Sequence, residues 1–269
     1  MHQLTHNSME YIDWLNDELS RGEYDDFFRH FSDVAGKRVL DVGCGPATLL
    51  AALSDGRSPT LMVALDTSAA WLHYVRNRFP NHADVAVLRA SAEFLPFKTS
   101  SFDVVICSGV MPYVWDDART IRELCHCISE EGMLFLRMHT AGNSICRILT
   151  RRGAEVHNML SLLSSMFCQL TGRKRFLPSP DTHQSSWKIR RALESHNMEV
   201  IAQYKSKRWH RVCRLFDVIA KKAVSGPSDH MNAPGSRRPL SHDFAYGSKA
   251  SSPHPQGNAK QRRHREVRQ

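Results

Sequence analysis

Asp41, Gly43 and Gly45 occupy alternate positions in "RVLDVGCGPATLL", Arg38 to Leu50, where an apolar run enters Gly-Cys-Gly and an apolar helical pattern follows at once. A glycine turn between a strand and a helix brings backbone N–H groups to the carboxyl edge of a sheet, where open α/β folds hold nucleotides. A second acidic residue, Asp66, ends the run "TLMVALD", Thr60 to Asp66. A carboxylate there can accept hydrogen bonds from ribose hydroxyls, or simply cap the next helix. Ser91, Ala92 and Glu93 follow a third apolar run, and Cys107 and Ser108 end a fourth. His139 ends a fifth. Its ordinary pKa of about 6.5 suits a general base, although a lone histidine at a loop start is more commonly a polar surface residue. The glycine spacing separates two kinds of nucleotide. A dinucleotide fingerprint needs a third glycine where Thr48 stands; the alternative, acidic-x-Gly-x-Gly-x-Gly, is met by Asp41, Gly43 and Gly45 with small Ala47 in the last place.

The elements that must position these residues follow from the apolar pattern. Two amphipathic stretches, Met9 to Leu19 and Tyr24 to Val34, come first. Arg38 to Val42 reads as a strand and Pro46 to Leu53 as a helix with proline in its first turn. Thr60 to Asp66, "DVAVLRA", Phe102 to Gly109 and Met133 to His139 read as four more strands. Between them lie a helix capped by Thr67 or Ser68 and stopped near Pro80, and another from Asp116 to Ile128. Uninterrupted apolar strands alternating with helices predict a parallel sheet covered on both faces. A helix from about Trp187 to His196 and two long strands, "EVIAQYKSKRW" and "VCRLFDVIAKK", close the pattern as an antiparallel hairpin turning near His210. The expected fold class is a doubly wound, mostly parallel seven-stranded Rossmann-like sheet with that C-terminal hairpin and a helical insertion after strand five.

The expected domain organisation is an N-terminal helical cap over 1–36, a main domain over 37–222 and a disordered basic tail over 223–269. The tail carries eight Lys and Arg against three Asp and Glu, more than half of the chain's net charge of +9. Rich in Ser, Pro, Gly and His, it has little to bury and cannot offset its ordering entropy. A solvated tail is therefore preferred to a phosphate-binding patch, even at "KQRRHR". The insertion, about 140–186, is too long for an ordinary connection and too apolar for a disordered one. Its "HNMLSLLSSMFCQL" places Met159, Leu160, Leu162, Leu163, Met166, Phe167 and Leu170 on one broad helical face, followed directly by Arg173, Lys174 and Arg175. The seven cysteines, with only Cys125 and Cys127 close together, fit a reducing compartment and buried thiols rather than zinc, so no metal is expected. No bilayer-spanning run or apolar leader is evident, and the expected location is cytoplasmic.

Taken in order, these motifs resemble the class I S-adenosylmethionine-dependent methyltransferases, particularly the small-molecule group typified by the ubiquinone and menaquinone enzymes. "VLDVGCGPATLL" is similar to their first motif and "VALDTS" to their second. "RASAEFLPFKTSSFDVVICSGVMPYV" resembles the third and fourth, and "IRELCHCISEEGMLFL" the helix and turn before strand five. The resemblance covers about Gly36 to His139 well and the terminal hairpin loosely. It implies S-adenosyl-L-methionine as cofactor, held by Asp41, Gly43, Cys44, Gly45, Asp66, Thr67, Ser91, Ala92, Glu93, Cys107 and Ser108. It departs at Ser91, where the family places an aspartate toward adenine, at Glu130-Glu131-Gly132 in place of Pro-Gly-Gly, and at Pro112-Tyr113 in place of a His pair. Glu93 is expected mainly to cap structure, and Cys107 to serve equally well as core. Tyr11 and Trp14 are expected first as core aromatics, and second as a lid over the site.

The implied activity is methyl transfer to a small acceptor on O, N or C. The sulfonium leaving group is already activated, so alignment carries most of the catalysis. No fixed catalytic motif is required, and the catalytic candidates are His139 and Tyr113. The insertion suggests an apolar or amphipathic acceptor and peripheral membrane contact through 159–175. Two alternatives stand beside this reading: an RNA or protein methyltransferase, and a catalytically inactive cofactor fold that binds partners. Nucleic acid is not favoured, because the "MPY" after strand four lacks the polar residue and second proline of base-amino methylation. Oligomeric state is not set by the sequence.

Overall fold

The computed structural model describes residues 6–55, 59–80, 82–139, 186–205 and 215–223, together with Leu163, Ser164, Met166, Phe167, Leu170 and Thr171 of the insertion. The turn expected near His210, most of the insertion and the basic tail beyond 223 lie outside the described residues.

Two helices come first, α1 (His6–Ser20) and α2 (Asp25–Phe31). The alternating part follows as β1 (Arg38–Val42), α3 (Thr48–Ser54), β2 (Leu61–Asp66), α4 (Ala69–Arg78), β3 (Val85–Arg89) and β4 (Phe102–Ser108). A 3-10 turn over Met111–Tyr113 leads into α5 (Asp117–Cys127), β5 (Ile128–His139), α6 (Ser186–Glu194), β6 (Met198–Lys205) and β7 (Leu215–Lys222). The seven strands form one sheet in the order β3-β2-β1-β4-β5-β7-β6. β1 to β5 pair in parallel, and β7 is antiparallel to both β5 and β6.

The chain crosses from one side of β1 to the other between β3 and β4, which creates a switch point at the carboxyl ends of β1 and β4. Each central strand is apolar on both sides because each face is covered. Val104 and Ile106 of β4 pack with Phe27, Phe31, Leu50 and Leu72 on the α1–α4 face. Their neighbours Val105 and Cys107 pack with Ile121, Leu124, Ile189 and Leu193 on the α5–α6 face.

Three local differences from the sequence reading have physical causes. The first crossover helix begins at Thr48 rather than Pro46, because Ala47 takes a left-handed conformation (φ 54) that cannot belong to the helix. β5 begins at Ile128, not Met133, and carries Glu130-Glu131-Gly132 within the strand, where its register against β4 shifts between Phe102 and Val104. A Cβ at Gly132 would lie 2.7 Å from Ile128 Cγ2, so the bulge has room for glycine alone. The helix after β2 starts two residues later than the quoted run; Ser68 caps it by accepting from the Trp71 N–H at 3.4 Å.

Candidate cofactor and acceptor site

A cavity of about 660 Å³ opens at the carboxyl edge of the sheet, at the switch point. Gly43 and Gly45 reach it from the turn after β1, Asp66 and Thr67 from the end of β2, and Ser91, Ala92 and Glu93 from the loop after β3. Ser108 and Gly109 border it from the end of β4, with Val110, Tyr113, Val114 and Trp115 beyond them. Four separate strand ends thus converge on one concavity. Eight of the eleven residues expected to hold a cofactor lie in its wall.

The turn after β1 is built by backbone strain and by β2. Gly43 and Gly45 have φ of 67 and 51, the left-handed region that favours glycine. The N–H groups of Gly43 and Cys44 both donate to the Leu65 carbonyl, at 2.7 and 3.0 Å. The Gly45 N–H donates to Oδ2 of Asp66 at 3.0 Å, while Oδ1 of Asp66 accepts from the Ser68 N–H at 2.8 Å. Asp66 therefore borders the cavity and also holds the start of α4.

Asp41, Cys44 and Cys107, the other three, lie behind the wall and are buried. Burial, with Asp66 as the second cause, pushes the Asp41 carboxyl up to about 8. Burial also pushes the Cys44 and Cys107 thiols up, so neither is a ready nucleophile. Cys107 packs in the α5–α6 core. Burial raises the Cys125 and Cys127 thiols to about 12, and both are free.

Glu93 has the structural part expected of it, as Oε1 accepts from the Asp116 N–H at 3.0 Å at the start of α5. Its carbonyl accepts from Nε of Arg119 at 2.8 Å, and its N–H donates to Oγ of Ser91 at 3.2 Å.

Of the two catalytic candidates, Tyr113 borders the cavity and is 58% exposed. His139 is the last residue of β5, and its side chain is not among those described.

Tyr11 differs from its first expectation as core. It is 42% exposed, borders the cavity and stacks on Trp14 with ring centres 5.7 Å apart. A Cβ at Gly45 would lie 3.7 Å from Tyr11 Cε1, so α1 passes directly over the glycine turn. Trp71, on α4, also borders the cavity, a place that sequence reasoning missed; its ring centre is 6.0 Å from that of Tyr11. The available signal is its position in the first turn of the helix after Asp66.

Sequence comparison finds a likeness to a known family over part of the chain. Residues 39–132 match the family model described as "Methyltransferase domain". Over this segment the chain is similar to methyltransferase domains. Among curated relatives of the domain, a probable S-adenosylmethionine-dependent methyltransferase of Mycobacterium tuberculosis is 32% identical over 101 residues, 36% of this chain and 34% of that protein. The ubiquinone biosynthesis O-methyltransferase of Neisseria meningitidis is 33% identical over 116 residues, 41% of this chain and 47% of that one. The tRNA U34 carboxymethyltransferase of Methylococcus capsulatus is 28% identical over 200 residues, 69% and 55%. The chain thus spans between about a third and just over half of these relatives' length. In fold, the domain is similar to a putative S-adenosylmethionine-dependent methyltransferase from Listeria monocytogenes, with a TM-score of 0.57 at 13% identity over 76% of this chain and 99% of that one.

Proposed function

We propose that the chain binds S-adenosyl-L-methionine in the cavity at the switch point and transfers its methyl group to a small apolar or amphipathic acceptor. The observation that carries this reading is the convergence of Gly43, Gly45, Asp66, Ala92 and Ser108 on one concavity. The wall suits the cofactor piece by piece. Asp66 offers carboxylate lone pairs to a ribose diol, and the apolar lining near Ala92, Val114 and Trp115 suits adenine. The buried carboxyl of Asp41 behind the turn favours a cationic neighbour. The cofactor would supply a methyl carbon already activated by a sulfonium. The protein supplies alignment, and Tyr11 on α1 excludes water from above.

The acceptor class rests on the insertion. Leu163, Met166, Phe167 and Leu170, spaced as one helical face, are 51%, 46%, 39% and 82% exposed. Such a face left open to solvent favours an apolar ligand or a membrane surface over simple core packing. The following Arg173, Lys174 and Arg175 add positive charge beside it in sequence. Among the described residues no helix is long and apolar enough to cross a membrane. The proposal is therefore a cytoplasmic enzyme with peripheral lipid contact through 159–175.

Titration calorimetry with S-adenosylmethionine, its demethylated product and NAD tests the cofactor; NAD should give no heat. Radiolabelled methyl transfer to cell extract, sorted into lipid, small-molecule, RNA and protein fractions, tests the acceptor. The similarity to a tRNA-modifying enzyme makes the RNA fraction the informative rival. Label appearing there, with affinity that falls steeply with salt, would replace the small-molecule reading.

A further inference from the structure

Ser108 is the last residue of β4 and borders the cavity, and among the described residues its hydroxyl meets one polar side chain, Tyr24, with the two oxygens 3.4 Å apart. Tyr24, in the turn between α1 and α2, is 3% exposed. Behind it stands Arg137 of β5, which pairs with Ser108 in strand register. The Arg137 guanidinium carbon is 3.7 Å from the centre of the Tyr24 ring. Arg137 is itself held by Asp217 of β7, through Nε to Oδ1 and Nη2 to Oδ2, both at 2.7 Å. Nη2 also donates to the Glu23 carbonyl at 2.6 Å, which fastens the α1–α2 turn to the sheet. Nη1 is buried with no hydrogen-bond partner among the described residues. Burial opposes the charge, but Asp217 and the Tyr24 hydroxyl outweigh it and hold the guanidinium protonated.

Either hydroxyl could donate across the Tyr24–Ser108 contact, and Arg137 biases the choice toward Tyr24. A guanidinium donates and never accepts. A full positive charge over the Tyr24 ring draws electron density from its oxygen, which makes the phenol O–H a stronger donor. Among the described residues its partner is Ser108 Oγ. A serine oxygen that accepts from Tyr24 is left with its own proton to give, and the open side of Ser108 is the cavity. Polarisation along such a chain strengthens the outermost donor.

We infer that Arg137 and Tyr24 are positioning residues that turn the Ser108 hydroxyl into a polarised donor aimed at an ionised oxygen at the methyl-transfer end of the cavity. This rests on the proposed cofactor reading and deepens it. The ionised oxygen has two sources, the carboxylate on the amino-acid end of the cofactor and an anionic oxygen on the acceptor. Tyr24 and Arg137 act through Ser108 in both cases.

Two probes separate the sources. S-adenosylhomocysteine carries the amino-acid end, and 5′-methylthioadenosine lacks it. Tyr24→Phe keeps the ring beneath Arg137 and removes only the hydroxyl. If the cofactor carboxylate is the target, calorimetry on the full chain shows Tyr24→Phe and Ser108→Ala weakening S-adenosylhomocysteine about tenfold. Methylthioadenosine binding stays unchanged, and Ser108→Thr restores the tighter value. If the acceptor is the target, both nucleosides bind the variants as they bind the parent. The S-adenosylhomocysteine-loaded parent then captures 4-nitrophenol as its coloured phenolate, with the acid dissociation constant of the bound phenol raised about tenfold, and Tyr24→Phe and Ser108→Ala lose that effect. Equal weakening of both nucleosides, or no effect of either variant in either arm, overturns the inference while leaving the cofactor reading intact. Failure of the parent to bind either nucleoside removes both. Thermal melting accompanies each variant, and Ser108→Ala decides the outcome if Tyr24→Phe does not fold.

Discussion

The Gly45 N–H and the Asp66 carboxylate are hydrogen-bonded at 3.0 Å, so the glycine turn after β1 and the acidic end of β2 are joined before any ligand arrives. The second oxygen of the same carboxylate holds the Ser68 N–H at 2.8 Å. Two crossover loops therefore share one anchor. Asp66→Ala should cost about 1.5–3 kcal/mol of S-adenosylmethionine binding, the scale of hydrogen bonds to a charged group. Because Ser68 still caps α4 through its own side chain, the chain should remain folded. Calorimetry beside a melting curve checks both halves; unchanged affinity would remove Asp66 from the ribose.

Gly43 gives a harsher outcome. Its φ of 67 is unsuited to a branched residue, and a Cβ there would collide with Cγ2 of Val110 across the cavity wall. Gly43→Val should abolish cofactor binding and lower the thermal midpoint, because the turn must move away from β4. Detectable binding at cofactor concentrations that saturate the parent would contradict it.

Asp41 predicts a pH signature. Burial, then Asp66, raises its folded pKa from the ordinary 3.8 to about 8. A folded pKa above the unfolded one contributes stability that is present below the unfolded value and lost as pH rises toward about 8. Asp41→Asn should therefore stabilise the ligand-free chain more at pH 8 than at pH 5, read by thermal melting. A cationic ligand beside Asp41 favours its ionised form, so cofactor binding near pH 6.5 should expel about one proton. Calorimetry in buffers of different ionisation enthalpy measures this directly, and Asp41→Asn should abolish it. No buffer dependence in the parent would show that the cofactor's positive charge lies elsewhere.

The Arg137–Asp217 pair is buried, with side chains 4% and 5% exposed. Removing one partner leaves an uncompensated buried charge. Arg137→Met should cost about 3–5 kcal/mol of stability, whereas the double replacement Arg137→Met with Asp217→Leu should recover most of it. Urea unfolding of the three proteins tests this; a double variant no better than the single one would mean that other contacts of Arg137 carry the stability.

The insertion predicts a change without a stability cost. Leu163→Ser and Phe167→Ser alter residues 51% and 39% exposed, so melting should move little. Sedimentation with anionic liposomes should fall, together with turnover of apolar acceptors. Normal turnover of a purely polar acceptor by the folded double variant would end the apolar assignment.

Much of this fold could be read from the chain because its strands are covered on both faces. β1, β2 and β4 are mostly apolar runs, interrupted within by Asp41 and Asp103 alone, and the Gly-Cys-Gly turn announces itself by residues that tolerate left-handed backbone. The start of α3 could not be read, because Ala47 gives no sign of adopting a conformation usual for glycine. The first residues of β5 resemble a turn, since Glu130, Glu131 and Gly132 are poor strand formers and only the register with β4 makes them strand. The tie from Asp217 through Arg137 to Tyr24 is equally hidden. Its sign is a single charge in each of two apolar runs, "MLFLRMH" and "LFDVIA". Which charge meets which depends on strand order, and β7 lies beside β5 only because it enters between β5 and β6.

That entry also bears on how the protein is made. β6 leaves the ribosome before β7, yet among the described residues β7 is its only neighbour in the sheet. Until residues 215–222 emerge, β5 presents a bare, apolar edge, and β6 has nothing to pair with. The nascent chain therefore carries an open sheet edge from the emergence of β5 until that of β7, the condition under which unfinished chains pair with each other. Closure comes with one late strand, so a chain stalled just short of β7 should need a chaperone that one stalled after it does not.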